Sequence, residues 1–148
     1  MSAGAAVFAA VFAALYAAHE LGDHWIQTSA QACGKGAAGW RGRVLCARHV
    51  ASLTAVKVLA VAVMAAVTGL ELSPQAAVAG LAVDAVSHYW ADRRSTLLAL
   101  ARRVGKGEFA ALGDGAAAPT GTGAYALDQS WHVMWLFVAA LMISAGAS

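Results

Sequence analysis

The chain has 148 residues, 60% of them hydrophobic and 12% charged, with a formal charge of +2 and a mean hydropathy of +0.63. Soluble domains are nearer half apolar and a quarter charged, and one this short has too little interior to hide so much apolar surface. The composition therefore selects a lipid bilayer as the solvent, and the small charge, with no basic stripe alternating with aromatics, excludes a nucleic-acid binder.

In chain order, the first apolar run covers residues 3–27 and carries H-E-L-G-D-H-W-I-Q at its end. No Lys or Arg precedes it, and His19, Asp23 and His24 follow where a leader would be cleaved, so it is expected to be retained. A loop marked by G-K-G-A-A-G-W-R-G-R leads to a second run over residues 49–70, which holds one charge, Lys57. Cys33 and Cys46 have neither metal-site nor redox spacing and are expected to be reduced thiols in that cytoplasmic loop. E-L-S-P makes a turn, with Pro74 suited to open a third run over residues 74–92. The long connection that follows begins with S-T-L-L-A-L-A-R-R-V, a candidate amphipathic helix lying on the membrane surface. Its glycine-rich remainder, residues 105–123, is expected to be flexible. A fourth run covers residues 127–145. Each run is roughly 20 residues, enough to cross the hydrocarbon layer as a helix. The expectation is a single all-α domain: an integral membrane four-helix bundle whose abundant Ala and Gly permit close helix packing.

Loop charge orients it. Lys35, Arg41, Arg43 and Arg48 lie in the first loop, and Arg93, Arg94, Arg102, Arg103 and Lys106 in the third. The N-terminus, the E-L-S-P turn and the C-terminus carry no Lys or Arg. By the positive-inside rule both basic loops face the cytoplasm and both termini lie outside a cytoplasmic (inner) membrane.

The polar residues inside the helices converge. His19, Asp23 and Gln27 follow one another at i, i+4, i+8, as do Asp84, His88 and Asp92, while Asp128 and His132 share the start of helix four and His49 opens helix two. All lie toward the cytoplasmic leaflet. By turn counting, Gln27, His49, Asp92 and Asp128 are shallowest, Asp23, His88 and His132 are a turn deeper, and His19, Lys57 and Asp84 lie roughly 12 Å down. Lys57 either reaches the cytoplasmic surface or neutralises Asp84 at equal depth. Ionisable groups at such depth face a bundle interior and pair or bind something. Carboxylates and imidazoles on adjacent turns can present two ligands to one ion. That mixture suits a divalent transition metal such as Zn, Mn, Fe or Ni. A hydrogen-bonded polar core without metal, or an ion or proton path, would use the same residues.

H-E-L-G-D-H-W-I-Q at residues 19–27, the His at position 49, S-H-Y-W-A-D at 87–92 and A-L-D-Q-S-W-H at 126–132 together resemble an uncharacterised family of small bacterial membrane proteins. Its ordered signature is His-x-x-Gly-Asp-x-x-x-Gln, His, His-x-x-x-Asp, Asp-Gln-x-x-His. W-R-G-R, C-A-R-H-V and S-H-Y-W-A-D-R-R further resemble members found on actinobacterial chromosomes and conjugative elements. The resemblance implies a shared polar site at His19, Asp23, His49, His88, Asp92, Asp128 and His132. His24, Lys57 and Asp84 fall outside the signature. The chain is also similar, more distantly, to membrane-bound proteins called metal-dependent hydrolases, a likeness by analogy. The leading expectation from the residues is a metalloenzyme, a hydrolase whose bound ion activates water, with Asp23 or Asp92, whichever is not itself a ligand, as general base, acting on a lipid or lipid-linked substrate at the cytoplasmic leaflet. The alternative is a non-catalytic membrane protein that handles metal or protons, or an accessory of conjugative transfer.

Overall fold

The computed structural model describes residues 3–115 and 121–146, and every regular element among them is helical. Helix α1 (Ala3–Leu21) is uncharged until its last turn, then widens into a π-helical turn over Gly22–Ile26. The regular α-helix expected through residue 27 is thus replaced by a wider turn. Gly22 opens that turn in close contact with a neighbouring helix: a Cβ there would overlap the Cδ1 of Leu53, whose side chain would have to shift. Such π-turns occur often at functional sites.

The expected first loop is largely helical. Helix α2 (Ser29–Gly34) is opened by a reciprocal cap: Gln31 N–H donates to Thr28 Oγ1 at 3.2 Å, and Thr28 N–H donates to Gln31 Oε1 at 2.8 Å. Helix α3 (Gly39–Thr68) has 30 residues, roughly 45 Å of helix, and starts well before residue 49. Glycine weakens a helix in isolation, yet Gly42 is required: a Cβ there would overlap the carbonyl oxygen of Ala37. Packing overrides propensity, and His49 sits mid-helix rather than at a helix start. Cys46 likewise lies within α3, buried, with its thiol 3.7 Å from the Tyr89 carbonyl, whereas Cys33 is exposed.

Helix α4 (Pro74–Asp92) begins as expected, with Pro74 in its first turn and Ser73 Oγ accepting from Ala76 N–H at 3.3 Å. Helix α5 (Ser95–Arg103) fits the amphipathic segment, with Leu97 and Ala101 buried and Arg102 and Arg103 in its last turn. The stretch expected to be flexible contains a single turn, α6 (Gly107–Ala110); positions 116–120 of that stretch lie outside the described residues. Helix α7 (Gly123–Ala145) starts four residues ahead of 127, capped by Thr122, whose Oγ1 accepts from Tyr125 N–H at 3.2 Å.

Helices α1, α3, α4 and α7 form a closed ring, each packing on its two neighbours, with α4 against α7 the most extensive interface. Its core includes Val11, Leu15, Val61, Leu81, Leu136 and Ile143. Three segments, Gly4–Ile26, Gly39–Thr68 and Gly123–Ala145, are long and apolar enough to cross a membrane, which points to a multi-pass membrane protein. Helix α4 does not join that set, because it carries Asp84, Ser87, His88 and Asp92; all four side chains are buried. The polarity is inverted relative to a soluble domain. Val67, Val78 and Val86 are 81%, 69% and 71% exposed, while His19, His49 and Lys57 are wholly buried. Water would penalise that distribution, and hydrocarbon would not.

A candidate metal centre

The polar cluster occupies the end of the ring where α1 and α4 finish and α7 begins. His19 and Asp23 come from the α1 end and its π-turn, His49 from α3, His88 and Asp92 from α4, and Asp128 and His132 from α7. His19, His49, His88, Asp92 and His132 are each at most 1% exposed.

Four atoms meet at its centre. His49 Nε2 lies 3.0 Å from Asp23 Oδ1, 3.2 Å from His88 Nε2 and 3.4 Å from Asp92 Oδ2. His88 Nε2 lies 3.3 Å from Asp92 Oδ2 and 3.6 Å from Asp23 Oδ1. Two depth layers that turn counting separates are therefore bridged by side-chain length.

The remaining expected residues surround this quartet. The His132 ring stacks on His88 with centroids 3.8 Å apart, and its Nε2 lies 3.4 Å from Asp128 Oδ2 and 3.8 Å from Asp92 Oδ1. His19 Nε2 is 3.8 Å from Asp23 Oδ2. All seven expected residues thus join one network, with Asp128 at its rim, where its side chain keeps 21% exposure. Two overlapping triads, Asp23–His49–His88 and His88–Asp92–His132, have the ligand-atom spacing that could hold an ion.

The donor set fits a metal on two grounds. An ion with ligands at about 2.0–2.1 Å in a tetrahedron separates those ligands by about 3.3–3.4 Å, close to the observed spacings. Moreover, Asp92 Oδ2 and the Nε2 atoms of His19 and His132, all on the side of the cluster's centre, are buried without a hydrogen bond among the described residues. Buried polar groups normally have partners, and each orphan costs about 1–3 kcal/mol. The quartet is rich in lone pairs and poor in protons, which suits a cation.

The profile of one family, described as "Protein of unknown function (DUF3307)", matches residues 11–148. The chain belongs to the DUF3307 family. No curated protein and no solved structure matches it.

In this DUF3307 protein, the cluster gains a residue that helix periodicity did not reveal. Lys35, 8% exposed, places its Nζ 2.7 Å from Asp92 Oδ1. It follows α2, where no repeat could flag it, and loop composition marked it only as a topology charge. Arg93 holds it in place by donating to the carbonyl oxygens of Lys35 and, at 2.6 Å, of Ala37, while Arg94 donates to that of Ala32 at 3.0 Å. Lys57 pairs with Asp84 at 2.6 Å, both buried, which resolves its two sequence readings in favour of the pair. His24 stays off the quartet: its Nε2 lies 3.0 Å from the Tyr125 hydroxyl and its Nδ1 3.0 Å from the Glu20 carbonyl. Gln27 follows the π-turn and lines the cavity that opens beside Asp23 and Asp92 in the DUF3307 site.

Proposed function

We propose that this chain is a four-span protein of the cytoplasmic (inner) membrane, both termini outside, that binds a divalent transition metal at Asp23, His49, His88 and Asp92. His19, Asp128 and His132 surround the ion, and Zn, Mn, Fe and Ni all suit the nitrogen and oxygen donors. The observation that carries this reading is that the Nε2 atoms of His49 and His88 lie 3.2 Å apart and each within 3.0–3.6 Å of a carboxylate oxygen of Asp23 and of Asp92. In this reading α4 is the fourth span, its polar face turned inward to the ion.

Asp23 and Asp92 also line a cavity of about 520 Å³ at the cytoplasmic end. A bound divalent ion supplies a Lewis acid and a water of lowered pKa there. This supports a metal-dependent hydrolase in which one of the two carboxylates leaves the ion to a water and takes that water's proton, and a substrate drawn from the lipid leaflet. A conducting path is disfavoured, since below Lys57 and Asp84 the ring closes on Val11, Val61, Leu81 and Leu136.

A second reading rests on the same quartet. Four protein donors complete a tetrahedron, the habit of structural rather than catalytic zinc, so the ion could staple the bundle of a non-catalytic protein, such as an accessory of conjugative transfer.

Elemental analysis of detergent-purified protein incubated with each metal tests both. A stoichiometric ion is expected, with a rise in thermal midpoint, and both are lost in His88→Ala and His49→Ala. No bound ion and no midpoint shift with any metal would reduce the cluster to a hydrogen-bonded core. Hydrolysis of a chromogenic ester or phosphodiester by the loaded protein, absent in Asp23→Asn, separates enzyme from staple.

A further inference from the structure

The cavity beside the quartet is walled by three unlike surfaces. The acidic lining is Asp23, Asp92, Asp114 and Asp128. The basic lining is Lys35, whose Nζ lies 2.7 Å from Asp92 Oδ1, and Arg94. The third wall is Leu97 and Leu98 of α5. Arg94 is the one non-glycine residue with positive φ (53°) among the described residues. That strained turn between α4 and α5 brings a basic group and two leucines to the mouth of a site that is otherwise acidic.

A hydrocarbon wall next to two cations suits a molecule with both an anionic head and an acyl tail. One N–H of the Arg94 guanidinium is engaged by Ala32, and a guanidinium carries five. A tetrahedral head has enough oxygens to meet an ion, an ammonium and a guanidinium together, whereas a carboxylate has two in one plane. Against four bare carboxylates such an anion would be repelled, and a divalent ion at the quartet, added to Lys35 and Arg94, balances that negative charge.

We infer that the cavity takes a phosphate-bearing amphiphile, its head group among Lys35, Arg94 and the metal centre and its tail against Leu97 and Leu98. This rests on the metal reading and deepens it by naming the ligand. Lys35 holds Asp92 in the unliganded site and meets the phosphate in the liganded one.

The test is calorimetry on detergent-purified, metal-loaded protein whose ion content is measured separately. The probes are dihexanoyl phosphatidic acid, inorganic phosphate and dihexanoyl glycerol. Phosphatidic acid should bind, inorganic phosphate about tenfold or more weaker, and the glyceride not detectably; metal-stripped protein should bind none of them. Arg94→Gln should weaken phosphatidic acid about tenfold, the scale of one charge-assisted contact, with metal content kept, and Lys35→Gln, compared at equal metal occupancy, should weaken it by as much. Leu98→Ser should weaken phosphatidic acid and leave inorganic phosphate alone. Metal-loaded protein that ignores phosphatidic acid, or binds the glyceride as well, overturns this inference and leaves the metal reading standing. Equal affinity for inorganic phosphate and phosphatidic acid makes the ligand a free anion and overturns the amphiphile. Protein that takes up no metal sinks both readings.

Discussion

Lys57 and Asp84 form an ion pair with no exposed atom to speak of, 2.6 Å apart and enclosed by helices. A pair buried this way adds little net stability, because desolvation offsets most of the attraction, but removing one partner strands the other. Lys57→Met and Asp84→Leu should each destabilise the detergent-solubilised protein by about 3–5 kcal/mol. The double variant should lose far less than the sum, as read by thermal or denaturant midpoints. Additive losses would mean that the two side chains do not interact. The same logic separates Lys57 from Lys35: the first is paired below the quartet, the second reaches into it and lines the cavity.

At the level of elements, the short helix α2 and the turn after it depend on α4 for their position. Arg93 and Arg94 leave the end of α4 and donate to the carbonyls of Lys35, Ala37 and Ala32. Hydrogen bonds from a charged donor contribute about 1.5–3 kcal/mol each. Arg93→Ala should therefore raise the local opening of residues 29–38 by about tenfold or more. Limited proteolysis in that segment should accelerate while α3 and α7 stay protected. Unchanged cleavage would show that the capping box of Thr28 and Gln31 suffices to hold it.

For the whole molecule the proposed orientation rests on the distribution of charge. The arginines and lysines of the first and third connections, set against none in the E-L-S-P turn, predict Glu71 outside and Cys33 inside. In sealed cells a membrane-impermeant maleimide should label Glu71→Cys and leave native Cys33 unlabelled until the cells are opened. Cys46 is buried and reports nothing in either state. Labelling of Cys33 in intact cells would invert the protein and move the cavity to the outer leaflet.

The sequence alone determined the helical class, the four long segments and the seven residues that meet at one end. Composition and i, i+4 spacing are local properties, and in a bilayer the choice of backbone is narrowed to what satisfies its own hydrogen bonds. Pro74 and Ser73 were legible as a helix start for the same reason: a cap acts within one turn. The tertiary structure alone decided the rest. It began α3 at Gly39, with Gly42 tolerated because its close approach to the Ala37 carbonyl outweighs intrinsic propensity, and it widened the end of α1 into a π-turn over Gly22–Ile26. It selected Asp23, His49, His88 and Asp92 as the centre from seven candidates, since side-chain reach across helices decides which donor atoms meet. It brought in Lys35, whose approach to Asp92 depends on hydrogen bonds from Arg93, 58 positions along the chain. No periodic pattern encodes a contact between a loop and a distant helix end; only the closed ring of helices creates it.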